Sequence, residues 1–449
     1  MSENLLMKNY VLKGCIAYSE DKDKLNTLDG YLVCEDGCCK GVFEKLSSKF
    51  DTYELLDYSN KLIIPGMIDL HIHAPQYAYR GLGMDYELLD WLKYEAFVEE
   101  AKFADLDYSK KAYEIFVDNI LKSATTRLSI FASRHVEATT LLMEMLEESG
   151  LVSYVGKVNM DRDAPVPLVE TNSYEDTVRW LNDVNNRFKN TYPIITPRFI
   201  PSCTDDLMYK LGELVRDYKL PLQSHISENL GEIELVKKLC PNSRFYGDAY
   251  DEYKLFGENV DGTYPVIMAH CIYSCDEELK MMKDRGIFAV HCPSSNMNVS
   301  SGIAPMRRYF DLGLNMGLGS DVAGGTSESM FQTLAKAIEV SKLYWRLIDQ
   351  NARALSFKEA FYLATMAGGK FFGDVGAFKE GYEFDALVLD DSILRTTLDL
   401  SIEERLERAV YLSLDLQGGI VHKFVKGKML FWWNIELYLL SSFVCWCFI

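Results

Sequence analysis

The chain has 449 residues, 48% of them hydrophobic and 25% charged, with a formal net charge of −19. That composition excludes a disordered or collagen-like chain, and the length suits one barrel-sized domain with a smaller appendage. The acidic balance, with no basic stripe interleaved with aromatics, excludes a nucleic-acid partner.

The start, Met1-Ser2-Glu3-Asn4, carries an acid and has no apolar run behind it, so no secretory signal is expected. The eleven cysteines are an odd number. Neighbours such as Cys34, Cys38 and Cys39, or Cys271 and Cys275, lack the paired spacing of a structural zinc site. Reduced thiols in a cytoplasmic protein are the expectation.

Residues 1–64 alternate short β-like runs, such as Tyr10-Val11-Leu12 and Gly30-Tyr31-Leu32-Val33, with Gly, Asp and Asn turn signals, which predicts small antiparallel strands. From about residue 65 to 378 the pattern changes to short apolar runs followed by helical periodicity, as in Tyr108 to Lys122, Leu207 to Tyr218 and Ser327 to Asp349. Several of these runs end abruptly at a polar residue: His71, His225, His270, His291 and Asp321. Chemistry at the carboxyl ends of parallel strands is the habit of a (β/α)8 TIM barrel. Residues 379–428 return to β-like runs, Phe384 to Leu389 and Ile420 to Val425. With residues 1–64 they are expected to build one small β-sandwich domain.

Residues 429–449 are apolar apart from Asn434, Glu436, Ser441 and Ser442, and contain three tryptophans. Their length suits a membrane span. Against that, a mid-segment acid costs about 2.5–3.5 kcal/mol on insertion scales for the comparable Asp, and the only flanking cations are Lys423, Lys426 and Lys428. The segment is therefore read as a divergent final strand or a read-through rather than an anchor, and its role is left unassigned.

His71-Ile72-His73 places two imidazoles on one face of a strand end, because side chains two apart on a strand point the same way. A lone His-x-His is weak evidence for a metal. Of only seven histidines in the chain, however, His225 and His270 also stand at predicted strand ends, and Asp321 closes another in Gly317-Leu318-Gly319-Ser320-Asp321. Neutral imidazoles with one carboxylate suit zinc or ferrous iron, and a position left for water makes such a site catalytic. Glu228, three residues beyond His225, is placed to move protons without ligating the metal. The plainer reading is a solvated acid opening the helix Glu228 to Lys238. His135 is either a pocket residue or a structural histidine, His291 is expected to shape a loop, and His422 is given no role.

The segments Pro65-Gly66-Met67-Ile68-Asp69-Leu70-His71-Ile72-His73-Ala74-Pro75-Gln76-Tyr77, Thr196-Pro197-Arg198-Phe199, Ser224-His225-Ile226-Ser227-Glu228-Asn229, His291-Cys292-Pro293-Ser294-Ser295-Asn296 and Gly319-Ser320-Asp321-Val322-Ala323-Gly324-Gly325 resemble the guanine deaminases of the amidohydrolase superfamily. The resemblance runs from about Leu62 to Leu389. It implies one Zn2+ per chain held by His71, His73, His225, His270 and Asp321, with Glu228 and Asp321 as proton carriers. By the same resemblance His73, Ala74, Pro75, Gln76, Arg198, Phe199, His225, Glu228 and Asp321 contact the substrate. Gln76 and Arg198 would meet the guanine edge that bears O6, and Phe199 would lie against the ring. The implied reaction is hydrolysis of guanine to xanthine and ammonia, in a homodimer. Ser320 stands where relatives usually carry Thr, a change that should keep the ligand after it.

Two enzymatic alternatives compete: a related amidohydrolase acting on a pterin, a triazine or an adenosine-like nucleoside, and a binuclear hydrolase bridged by a carboxylated lysine, for which Lys157 is the one candidate. A scaffold protein that lost its activity is the third alternative, opposed by intact candidates for every ligand and both proton carriers.

Overall fold

A computed structural model of the chain describes residues 9–162, 168–257, 264–414, 416 and 418–432. The chain is mixed α/β and divides into two units, one formed by Ser19–Leu25 and Met67–Ala377, the other by Met1–Tyr18, Asn26–Gly66 and Phe378–Ile449.

In the larger unit, strands Met67–His73, Thr125–Phe131, Val152–Gly156 and Thr191–Pro193 pair in that order as one parallel sheet. Leu222–Ile226, Val266–His270, Phe288–His291 and Asn315–Leu318 form a second, also parallel. Every residue of Met67–His73, Thr125–Phe131, Val266–His270 and Phe288–His291 is buried. Val266–His270 and Phe288–His291 are continuous apolar runs up to their closing histidines, as strands covered on both faces require, whereas Met67–His73 and Thr125–Phe131 also bury polar residues such as Asp69, His71, Arg127 and Ser129. The periodic stretches between them form helices Leu106–Lys122, Asp205–Tyr218 and Met330–Leu347. Their starts are set by side chains that accept from orphan backbone N–H groups: Asp105 from Asp107 and Tyr108, Thr204 from Leu207, and Ser329 from Gln332.

In the smaller unit, hydrogen bonding joins all the strands into one seven-stranded sheet, in the order Lys428–Trp432, Ile420–Val425, Ala386–Leu389, Glu54–Pro65, Asn9–Ser19, Leu25–Glu35 and Cys38–Phe43. Two stacked sheets were expected. Both faces of this one sheet carry buried side chains, with Tyr10, Leu12 and Ile16 in one cluster and Val11 and Val33 in another. The expectation of antiparallel strands needs a second correction, because Asn9–Ser19 runs parallel to Glu54–Pro65. The long connection between them provides the crossover that a parallel pair requires and a hairpin does not.

The end of the chain enters this sheet through Lys428–Trp432, antiparallel to Ile420–Val425. The rest of the apolar tail lies outside the described residues. Among the described residues no helix is long and apolar enough to cross a membrane. The nine cysteines there are free thiols.

Candidate active site

The sharp turns that follow the strands bring His71, His73, His225, His270 and Asp321 into one cluster. His73 Nε2 lies 3.3 Å from His71 Nε2 and 3.2 Å from His225 Nε2. Asp321 Oδ1 lies 3.3 Å from His71 Nε2 and 3.4 Å from His73 Nε2, and Asp321 Oδ2 is 3.8 Å from His270 Nε2. To aim these side chains, Ser227, His270, Cys271 and Asp321 adopt φ of +50°, +75°, +53° and +49°. A non-glycine residue held there costs about 1–3 kcal/mol, which the surrounding hydrogen bonds must offset.

Those bonds are identifiable. The Asp69 carboxylate accepts from the backbone N–H groups of His71 (3.2 Å) and Ser320 (3.0 Å) and from the Ser320 hydroxyl. It thereby ties the two strand ends that carry His71 and Asp321. Burial pushes this carboxyl up to about 7. The Asp321 N–H donates to the His71 carbonyl (2.8 Å) and the His73 N–H to the Val322 carbonyl (3.1 Å). Gly319 is required between them, since a Cβ there would meet the His71 Cβ at 2.7 Å and the Cys292 Sγ at 3.0 Å.

The cluster is built from lone pairs. Burial holds His71, His73 and His225 well below the usual imidazole range, so they are neutral. His225 Nδ1 faces the Arg198 carbonyl at 2.6 Å and His270 Nδ1 faces the Asn296 side-chain oxygen at 2.9 Å. In each pair the ring must be the donor, which leaves Nε2 as an acceptor aimed inward. His270 Nε2 is buried without a hydrogen-bond partner. Converging neutral imidazole nitrogens plus one carboxylate are the donor set of a borderline-hard dication such as Zn2+. His71, His73 and His225 form one group whose ligand atoms lie within 4.8 Å of one another, and His71, His270, Cys292 and Asp321 form a second.

Glu228 stands beside this cluster and does not open a helix in solvent. It is 4% exposed, with Oε2 3.4 Å from His270 Nε2 and Oε1 accepting from the Ser301 hydroxyl at 3.3 Å. Burial, then the neighbouring Asp321 carboxylate, pushes it well above the ordinary carboxylate range. The helix starts later, at Leu230, with Asn229 as its cap, and Glu232 fills the first-turn acid position. Glu232 also holds Glu228 in place by accepting its backbone N–H at 3.0 Å, while the Tyr246 hydroxyl donates to Glu232 at 2.6 Å.

A cavity opens over these groups, lined by His73, His225, Glu228, His270 and Asp321 together with Gln76, Arg198 and Phe199. Arg198, 3% exposed, is the first residue after the short strand Thr196–Pro197; its carbonyl orients His225 while its side chain reaches the cavity. Ala74 and Pro75 do not line it. They are buried in the 3-10 turn Ala74–Tyr79 that follows His73, and their part is to bend the chain so that Gln76 faces inward. Leu88, Trp91, Leu92 and Ser295 complete the lining and were not anticipated from the sequence. A helical segment far from any histidine offers no motif to find the first three by. The Ser-Ser-Asn after Cys292 was visible, and the structure uses it through Asn296 on His270.

Three remaining side chains fall elsewhere. His135 immediately precedes the helix Val136–Ser149, without a side-chain hydrogen bond to its end, and is not among the cavity residues. His291 ends its strand with its carbonyl accepting from Gly319 at 3.0 Å, outside both ligand groups. Lys157 is buried with its ammonium 2.5 Å from Glu170 and donating to the Val158 carbonyl, so its amine is committed to an ion pair away from the cavity.

Comparison with known proteins bears on the family. The amidohydrolase family profile matches residues 62–430. A guanine deaminase of Dictyostelium discoideum is 34% identical over 95% of this chain and 99% of its own. One from Mus musculus is 37% identical over 93% of this chain and 96% of its own. The crystal structure of guanine deaminase from C. acetobutylicum, with guanine bound in the active site, superposes with a TM-score of 0.90 at 45% identity, covering 94% of this chain and all of that one. The chain belongs to the amidohydrolase family, within its guanine deaminase branch.

Proposed function

We propose that this chain is a zinc-dependent hydrolase that deaminates guanine to xanthine and ammonia. The observation that carries the reading is one cavity in which buried neutral imidazoles, Asp321 and the buried Glu228 carboxyl face the Arg198 and Gln76 side chains. His71, His73, His225, His270 and Asp321 are the residues that would hold one Zn2+. An ion there lowers the pKa of water toward about 7 and so supplies a nucleophile near neutral pH.

The chain's own residues do the rest. Arg198 and Gln76 bind the O6 edge of the base and Phe199 lies against its ring, which places C2 over the cluster. Glu228, displaced upward in pKa by burial, takes the proton of the attacking water and delivers it to the ring nitrogen beside C2. A C–O bond forms at C2, the C–N bond to the exocyclic amine breaks, and Asp321 carries the second proton to the departing ammonia. His73 and His225, at the cavity wall, fix the substrate's approach as well as the ion.

The two four-stranded parallel sheets are read as halves of one (β/α)8 barrel. Supporting this are the bridge between Ile195 and Leu222, the hydrogen bond from Asp321 to His71, and the close approach of Gly317 to Leu70. A cytoplasmic homodimer is proposed from the family resemblance and the free thiols.

Ammonia release from purified protein offered guanine, adenine, cytosine and a pterin, with zinc measured on the same sample, tests the reading. Turnover of guanine alone with about one zinc per chain is expected. Zinc-loaded protein silent on guanine would move the substrate to another heterocycle.

A further inference from the structure

One buried carboxylate beside the cavity is used by no step above. The helical turn Phe97–Glu100 carries adjacent acids with opposite fates. Glu99 pairs with Lys102 at 2.6 Å and accepts from the Tyr108 hydroxyl. Glu100 is 5% exposed and accepts from two cavity residues at once: Gln76 Nε2 at 2.8 Å on Oε1 and Arg198 at 2.6 Å on Oε2. Three residues earlier on the same turn, the Phe97 ring lies 5.0 Å from the Arg198 guanidinium. One helical turn thus supplies both an anion and an aromatic face to the same arginine.

The consequence for Gln76 is a fixed amide sense. Its Nε2 donates to Glu100 and its Oε1 accepts from the Ala323 N–H at 3.2 Å. A flipped amide would set oxygen against carboxylate and NH2 against N–H, so the protein, not the ligand, decides which way the amide faces. Arg198 is likewise held by one nitrogen, with its other N–H donors left for the cavity.

We propose that Glu100 is a positioning residue that sets purine specificity, by locking Gln76 and Arg198 into a donor–acceptor pattern that fits a ring carbonyl flanked by a ring N–H. This rests on the guanine reading above. A purine lacking that pair leaves the oriented groups unpaired and desolvated, which is how such sites reject close analogues.

Steady-state kinetics on Glu100→Gln, with 2-aminopurine as competitive inhibitor, test this, since 2-aminopurine lacks both the C6 oxygen and the N1 proton. KM for guanine should rise by about 10- to 100-fold, the loss expected when hydrogen bonds to charged groups are disturbed. kcat, zinc content and the Ki of 2-aminopurine should stay within about 3-fold of the parent, because the metal ligands are untouched. Equal weakening of both purines, or no change in either, would overturn the assignment. If that variant does not fold, Glu100→Asp keeps the charge but is too short to reach both partners, and should give an intermediate ratio of guanine KM to 2-aminopurine Ki. A parental ratio in Glu100→Asp overturns the assignment too. Unmutated protein that neither binds nor deaminates guanine would refute the functional reading itself, a result distinct from any of these.

Discussion

The two sides of the cavity are built on opposite principles. On the histidine side, neutral nitrogens approach one another within 3.2–3.3 Å and His270 Nε2 has no partner. On the Gln76–Arg198 side, Glu100 and the Ala323 N–H already engage the groups that face the substrate. Both sides are buried, so the difference is not one of solvent. An array of lone pairs is unfavourable until a cation accepts them, whereas a matched set of donors and acceptors is stable by itself and reads shape. The first side suits chemistry and the second recognition, and changes to each should separate accordingly.

The sharpest break is Asp321→Asn. It removes the only carboxylate among the proposed ligands together with one proton carrier, and metal content and turnover should both be lost. Elemental analysis beside an ammonia assay checks this, and a fully metallated, active variant would sink the ligand assignment. Glu228→Gln comes next, since it keeps the shape and removes the titrating group. Zinc and guanine should still bind while kcat falls by about 10²–10⁴, and near-normal turnover refutes the role. Asn296→Ala leaves His270 Nδ1 without its acceptor. Metal affinity, titrated with a competing chelator, should drop by about 10–100-fold with KM little changed once zinc is saturating.

On the recognition side, Arg198→Ala should raise KM for guanine by about 10–100-fold and relax discrimination against adenine, with zinc content unaltered. Unchanged kinetics would place the pocket elsewhere. The smallest effect expected is from Ser301→Ala, which deletes one 3.3 Å hydrogen bond to Glu228. A loss of kcat of about 2- to 10-fold, measured at saturating guanine, corresponds to one neutral donor on a buried acid. A change in zinc content instead would show that Ser301 supports the ligands and not the proton carrier.

The two sides also differ in how legible they were. His71, His225, His270 and Asp321 stood out because each ends an apolar run, His73 because it lies two residues beyond His71, and the family resemblance separated them from His291; the structure brings all five together. The strand-to-loop transition is local, and a polar residue there has one plain reason to exist. Glu100 carried no such signal. In sequence, Glu99 and Glu100 are two acids in a helical stretch, alike in every local respect, and only the packing of that turn sends one to Lys102 and Tyr108 and the other to Arg198 and Gln76. Lys157 misled for the same reason, since its candidacy as a bridging ligand depended on not knowing that Glu170 meets it in the interior. Ala74 and Pro75 were expected at the substrate from the family resemblance, but both are buried in a 3-10 turn and, of the three, Gln76 lines the cavity.

Sequence by itself determined the α/β alternation, the presence of the main helices and the residue types able to hold a metal, because these follow from periodicity and the chemistry of single side chains within a few residues. The tertiary structure alone decided the parallel pairing of Asn9–Ser19 with Glu54–Pro65, the single seven-stranded sheet and the partnership of Glu100 with Gln76 and Arg198. Each of these joins residues far apart in the chain. Their energies depend on which surfaces are buried together, a property that no local window of sequence contains.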